Sequence, residues 1–357
     1  MACITFFVDP AWRRSSLQHI PLLYPFLGNP LTASQPFWRE LFERRGFDTN
    51  YYAITNDPAA ADMVLMPYSH TVVLGSAPDL LELCATEARK QGKRLLIDGL
   101  GDIERPIHTP EAIVLRYGGY RFLKQPNVIQ IPFYADDLLE IYRNGSLDLR
   151  HKGEKPIVGF AGWASLTFRQ ELRTVLKELP TRIHALFDEQ YRACKKGILF
   201  RREAIKILEA STDVVSNLII RPTFSANAST MSGAPEDLRR EFVENLLSSD
   251  YGLCIRGDAN GSVRLFETLA LGRIPIILDT EYNFPFIDVV DYKSFSLTVD
   301  FRDIKRLPKI IADFHASLSD EHFVDMQKKA RAAYVEYFRV DALMPHILRE
   351  LSTLLSR

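Results

Sequence analysis

Residues 250–279 read DYGLCIRGDANGSVRLFETLALGRIPIILD. An apolar run is followed by a loop with two glycines, a stretch of helical periodicity, a glycine stop and a second apolar run. That order describes a βαβ unit. In such a unit the loop after the first strand faces a crevice, and the following helix offers unpaired backbone N–H groups and the positive end of its dipole. A diphosphate fits there. Gly257 and Gly261 let the backbone approach a ligand closely, and Ser262 suits the N-cap. Arg264 falls in the first helical turn, where a cation opposes the dipole unless an anion is bound. Glu267 follows three residues on, along the same face. Spacing alone leaves a plainer reading equally open, in which Arg264 and Glu267 are a surface pair and Arg256 is a solvated strand end.

Outward from this unit, the same rhythm covers the chain. Short apolar runs at residues 4–8, 51–54, 63–66, 94–97, 112–115 and 128–131 alternate with polar or helical stretches, as in an α/β sheet. Residues 37–45 and 79–90 have helical periodicity. The polar stretch YRNGSLDLRHKGEKP at 142–156 is the linker candidate. A second series then places strands at 156–160, 217–220, 251–255, 274–278 and 295–299, with helices at 168–179, 235–247 and 263–271. Thr167 and Gln170 form a capping-box start for the first of these helices, whose Phe168, Leu172, Val175, Leu176 and Leu179 share a face. From about residue 320 the chain reads as helical.

The chain has 357 residues, beyond the size at which one core usually stops growing, so two domains are expected. Forty-four Lys and Arg against 45 Asp and Glu give a net charge of −1, which excludes an overall basic field for nucleic acid. Cys3, Cys84, Cys194 and Cys254 form no CxxC pair, so neither a zinc knuckle nor a redox motif is expected. The N-terminal apolar run is broken by Asp9 and Pro10 and reads as a strand, not as a signal peptide. Sequons at Asn144, Asn227 and Asn260 read as chance triplets.

The stretch at 250–279 closely resembles the signature of the exostosin-like (family 47) glycosyltransferases, carried here by Cys254, Arg256, Gly257, Asp258, Ser262, Arg264, Glu267, Gly272, Ile274 and Pro275. FPFIDVVDYKSFSLTV downstream is similar to the same family at Pro285, Phe286, Asp288, Val290, Asp291, Phe295 and Ser296. Weaker similarity extends to NDPAAADMVLMPY, IPFYADD and KPIVGFAGW in the first half. A departure is LLIDGLGD at 95–102, where the family frequently carries a His-Asp pair.

The resemblance implies an α/β fold of the GT-B type, two Rossmann-like domains facing across a cleft with C-terminal helices packing back. The domains would be an acceptor domain at 1–150, a donor domain at 151–330 and a helical segment at 331–357 crossing back. The implied reaction is inverting transfer from a nucleotide sugar, a UDP-sugar first in line, to a glycan or glycoconjugate acceptor, with no metal or other cofactor required. The rivals are a catalytically silent nucleotide-sugar-binding protein and a sugar-nucleotide epimerase. The expected setting is cytoplasmic, either free in the cytosol or loosely attached to a membrane face. The donor site is expected at Arg256, Gly257, Asp258, Gly261, Ser262, Arg264 and Glu267. The two arginines would meet the diphosphate, and Glu267 the ribose hydroxyls.

The general base is expected after the 94–97 strand, at Asp98 or, preferred, Asp102, because carboxyl ends of parallel strands face the crevice. His70 is the fallback. Arg201 and Arg202 could reach a phosphate, but a solvated basic turn is the stronger reading of that pair.

Overall fold

The computed structural model describes residues 3–30, 36–101, 107–123, 125–223 and 234–356. The first α/β unit contains β1 (Ile4–Phe7), β2 (Tyr52–Thr55), β3 (Met63–Leu65), β4 (Leu95–Asp98), β5 (Ala112–Arg116) and β6 (Val128–Gln130). Its helices are α1 (Tyr24–Leu27), α2 (Pro36–Arg44), α3 (His70–Ser76), α4 (Asp79–Gln91) and α5 (Leu138–Arg143). The second unit contains β7 (Ile157–Trp163), β8 (Val215–Arg221), β9 (Tyr251–Cys254), β10 (Ile274–Asp279) and β11 (Leu297–Asp300). Around it run α6 (Phe168–Lys177), α7 (Leu179–Phe187), α8 (Gly197–Glu209), α9 (Pro235–Leu247), α10 (Val263–Ala270), α11 (Leu307–Ser317) and α12 (Asp320–Ala333), and α13 (Leu343–Leu355) closes the chain.

Both sheets are wholly parallel, with strand orders β2-β1-β3-β4-β5-β6 and β11-β10-β9-β7-β8. Parallel strands covered on both faces read as short continuous apolar runs, which is why the strands of the first unit lie where the sequence places them. Gly272 stops α10 with φ +62, in the left-handed region that glycine tolerates best.

The loops that meet between the units leave the carboxyl ends of their strands. After β5, Arg121 forms a two-pronged ion pair with Asp279 at the end of β10 (3.1 and 2.8 Å). The Tyr282 hydroxyl donates to the carbonyl of Tyr117. Two Rossmann-like sheets thus face each other by their carboxyl edges, the GT-B arrangement.

One apolar core runs across the junction. Ile113, Leu115 and Ile129 of the first sheet share it with Leu265, Phe266 and Leu269 of α10, and with Leu343, Ile347 and Leu351 of α13. The final helix therefore packs on the first unit after the chain has built the second. At the crossing, the buried Asp137 carboxylate takes two hydrogen bonds from Arg331 (2.7 and 2.9 Å), and the Tyr334 hydroxyl donates to the carbonyl of Ala135. The linker is fastened as well: Arg150 Nε donates to Asp250 Oδ1 at 2.7 Å.

Where a single helix is expected at 168–179, the chain breaks at Glu178 and begins again as α7, with Pro180 in the new first turn. Proline is at home there because its missing N–H would have no partner.

Candidate functional site

The carboxyl ends of β7 and β9 and the start of α10 bring three arginines together. Arg264 is buried beneath the end of β7. One terminal nitrogen donates to the carbonyl of Ala161 at 2.7 Å, and the guanidinium carbon lies 4.3 Å from the Phe160 ring centroid. Its Nε and other terminal nitrogen are buried with no hydrogen-bond partner among the described residues. Burial pulls its pKa down, partly offset by nearby Glu267. A desolvated guanidinium with two idle donors is costly unless an anion completes it.

Arg201 of α8, on the solvated-turn reading exposed, instead reaches inward. It donates to the carbonyls of Ile255 (3.3 and 3.2 Å) and Trp163 (3.3 Å). Burial, then the neighbouring Arg264 charge, lowers its pKa to about 9, with exposed Asp258 acting the other way. Its placement is set by the start of α8: a Cβ on Gly197 would sit 2.2 Å from the carbonyl oxygen of Gly257, so this helix lies directly on the loop. That contact spans 60 residues of sequence and leaves no local signal. Arg202 pairs with Glu171 at 2.9 Å.

The remaining expected donor residues divide. Arg256 is 4% exposed, and its terminal nitrogens donate to the backbone carbonyls of Gly257, Asp258, Ala259, Ala193 and Lys195. These bonds shape the loop, while the Arg256 Nε, like that of Arg264, is buried with no hydrogen-bond partner among the described residues. Gly261 does allow a close approach, but of protein: a Cβ there would lie 2.7 Å from the Phe133 ring and 2.9 Å from Tyr282. Ser262 stands at the N-cap with extended backbone (φ −146, ψ 125), yet its side chain caps nothing. Its hydroxyl and the first N–H groups of α10 remain beside Arg264.

Glu267 is buried, and its Oε1 takes a charged hydrogen bond from Arg239 of α9. Arg239 also feels the charge of Asp136 from the first unit, whose carboxylate meets Arg44 at 3.1 Å. The sequence reading missed Arg239, because nothing in its local pattern marks it as buried.

Asn260, the third sequon, is 1% exposed, and its amide donates to the carbonyls of Gly119, Thr280 and Glu281. It holds the two units together and is closed to a glycan. Gly119 also borders a cavity of about 270 Å³ lined by Arg116, Gln130, Asn283, Phe284, Asp288 and Glu350. Neither Arg264 nor any residue of the 256–262 loop lines this cavity, which is linked to the loop through the Asn260 bond to Gly119.

Of the expected bases, Asp98 ends β4 and is 4% exposed. Its Oδ1 accepts from the N–H of Leu100 at 2.9 Å. Burial pushes its pKa up to about 7, against that hydrogen bond. Its charge is felt by Tyr24, Tyr117 and Tyr134. Asp102 lies outside the described residues. His70 opens α3 and is buried.

Residues 156–314 match the Exostosin GT47 domain. An Exostosin-1 homolog of Caenorhabditis elegans is 30% identical over 112 residues, 31% of this chain and 28% of that protein. A probable arabinosyltransferase of Arabidopsis thaliana, ARAD1, is 23% identical over 116 residues, 32% of this chain and 26% of its own length. The chain thus matches less than a third of the length of these relatives. Among solved structures, Anabaena HepE in complex with UDP aligns over 98% of this chain and 100% of its own at 11% identity, with a TM-score of 0.40.

Proposed function

We propose that this chain, whose residues 156–314 match the Exostosin GT47 domain, acts as an exostosin-like family 47 glycosyltransferase and transfers a sugar from a nucleotide-sugar donor to a glycan acceptor with inversion. The carrying observation is Arg264, a buried guanidinium with two unpartnered donors beside the Ser262 hydroxyl and the open start of α10. A donor diphosphate supplies the missing acceptors. Arg201 adds charge from the opposite wall, and Arg256 holds the loop in shape.

In the reaction an acceptor hydroxyl attacks the anomeric carbon while the bond from that carbon to the phosphate oxygen breaks. The negative charge gathered on the departing diphosphate is met by Arg264, Arg201 and the helix terminus, fixed before the reaction begins. Glu267 keeps Oε2 for a ribose hydroxyl while Arg239 holds Oε1. The acceptor's proton goes to a carboxylate of the first unit, for which Asp98, with its pKa near neutrality, is suited. The cavity beside Gly119, with its amides, carboxylates and Phe284, is the proposed acceptor subsite.

Calorimetric titration with UDP tests this reading. Removing a charge-assisted hydrogen bond costs about 1.5 to 3 kcal/mol, so Arg264→Ala should weaken UDP binding by about 10- to 150-fold. Equal affinity in wild type and variant would put the donor elsewhere.

A further inference from the structure

Helices α6 and α7 follow one another through the single residue Glu178, and no residue of either helix is buried. Phe168, Leu172 and Leu176 stand one turn apart along α6, and Ile183, Leu186 and Phe187 share one face of α7. Phe168 and Leu186 are each 81% exposed and Phe187 87%. An amphipathic helix ordinarily turns such a stripe to the core. This one faces outward.

A row of cations runs beside the stripe on α6. Arg169, Arg173 and Lys177 lie one position on from the three apolar residues of α6, forming a parallel row, and all are exposed. Arg182 continues it on α7. Residues 168–187 contain four Lys and Arg and two Glu, and both glutamates are engaged. Glu171 pairs with Arg202, while buried Glu178 accepts from the N–H of Lys196. The α6 face therefore offers a bulky apolar stripe flanked by cations, the pattern of a helix that lies in a lipid interface. At the far end of α7, Arg182 lies 4.0 Å from Glu178, and the exposed anions after Phe187 are engaged, Asp188 by the N–H of Gln190 and Glu189 by Arg192. A second copy of the chain would bring the same cations against each other.

We propose that this helical segment docks the protein on an anionic lipid surface, with the apolar stripe in the headgroup–acyl boundary and the basic row on lipid phosphates. Its position connects it to the arginine cluster. The segment leaves β7 just after Trp163, whose carbonyl receives Arg201, and the chain returns through residues 189–194 and Lys195, where the carbonyls of Ala193 and Lys195 receive Arg256. Docking would hold the donor site close to the membrane, where an acceptor carried on a lipid is presented.

The test is co-sedimentation of the full chain with vesicles of phosphatidylcholine alone and of phosphatidylcholine with on the order of one third phosphatidylglycerol. The wild type should pellet with the anionic vesicles, weakly with the neutral ones, and less as salt rises. Reversing Arg173→Glu and Lys177→Glu should lower the partition at least about fivefold for each charge. Leu186→Ser with Phe187→Ser should lower it on both vesicle types. These side chains are exposed, so far-ultraviolet circular dichroism and UDP affinity should stay at wild-type values. No pelleting of the wild type, or pelleting that neither variant weakens, overturns the proposal. So does self-association seen by light scattering and abolished by the same serine substitutions, which would place a second copy on the stripe.

Discussion

Burial opposes the charged form of both Arg264 and Asp98, and the groups packed around each set how it responds. For Arg264 the neighbour is Gly162. A Cβ at that position would fall 2.6 Å from the Arg264 terminal nitrogen that bonds Ala161. Gly162→Ala must therefore move the guanidinium, at an overpacking cost of about 1–3 kcal/mol. UDP affinity should fall with it even though residue 162 has no side chain to lose. Titration calorimetry at matched folded fraction separates the two effects, and unchanged affinity would show that Arg264 is not in the donor site.

For Asp98 the sign comes from the raised pKa. The unfolded carboxyl ionises from its ordinary value of 3.8, the folded one at about 7. Between these values the folded state holds a proton that the unfolded state has lost. The folded state is therefore favoured at low pH and loses that advantage as pH rises through 7. Asp98→Asn, neutral at every pH, should gain on wild type steadily from about pH 4 to pH 7. Between pH 5 and pH 8 the gain should be on the order of 2 to 3 kcal/mol, read as separating thermal midpoints. If Asp98 is also the base, the variant's transfer rate falls by about 100-fold or more while UDP affinity holds. Transfer at the wild-type rate would remove Asp98 from that role.

At the scale of elements, the parallel strands were legible because burial on both faces writes them as apolar runs, and α10 because its loop, N-cap position and Gly272 stop are all local. The capping box of α6 was equally plain: Thr167 accepts from the N–H of Gln170, and the Gln170 side chain accepts in return from the N–H of Thr167. What the sequence hid depends on contacts distant along the chain. Periodicity shows that α6 has an apolar face but not that the face stays uncovered. Arg201 and Arg239 look like ordinary helix-surface cations until α8 is laid on the 256–258 backbone and α9 is brought to Glu267. Gly261 had a correct premise, close approach, and a different object, since Phe133 comes from the other unit. Gly261→Ala should therefore act as an interface lesion. We expect a loss of about 1–3 kcal/mol in thermal or urea unfolding, with a smaller effect on UDP affinity than Arg264→Ala. A variant as stable as wild type would mean that the loop and Phe133 separate freely.

Across the whole molecule, the two units are fastened at different depths. Near the cleft, Arg121 with Asp279 and Asn260 with Gly119 join loops that also border the proposed donor and acceptor sites. Far along the chain, Asp137 gathers Arg331 from the end of α12 and Arg339, at 3.7 Å, from just before α13, while its Oδ1 also caps α5 through the N–H of Glu140. Its side chain is 3% exposed and those of the two arginines 16% and 22%, so solvent screens these charges little. Removing one partner of such a cluster leaves charge uncompensated. Asp137→Ala should cost about 3–5 kcal/mol, including the lost helix cap. The exposed Arg143–Glu244 pair, which also joins the two units, should matter little by comparison. A double-mutant cycle separates the ion pair from the cap: Arg331→Ala should cost clearly less in the Asp137→Ala background than alone, by about 1 kcal/mol or more. Additive effects would mean that the crossing is held by the apolar contacts of α13 and not by this cluster. The loss in Asp137→Ala would then reside in the α5 cap.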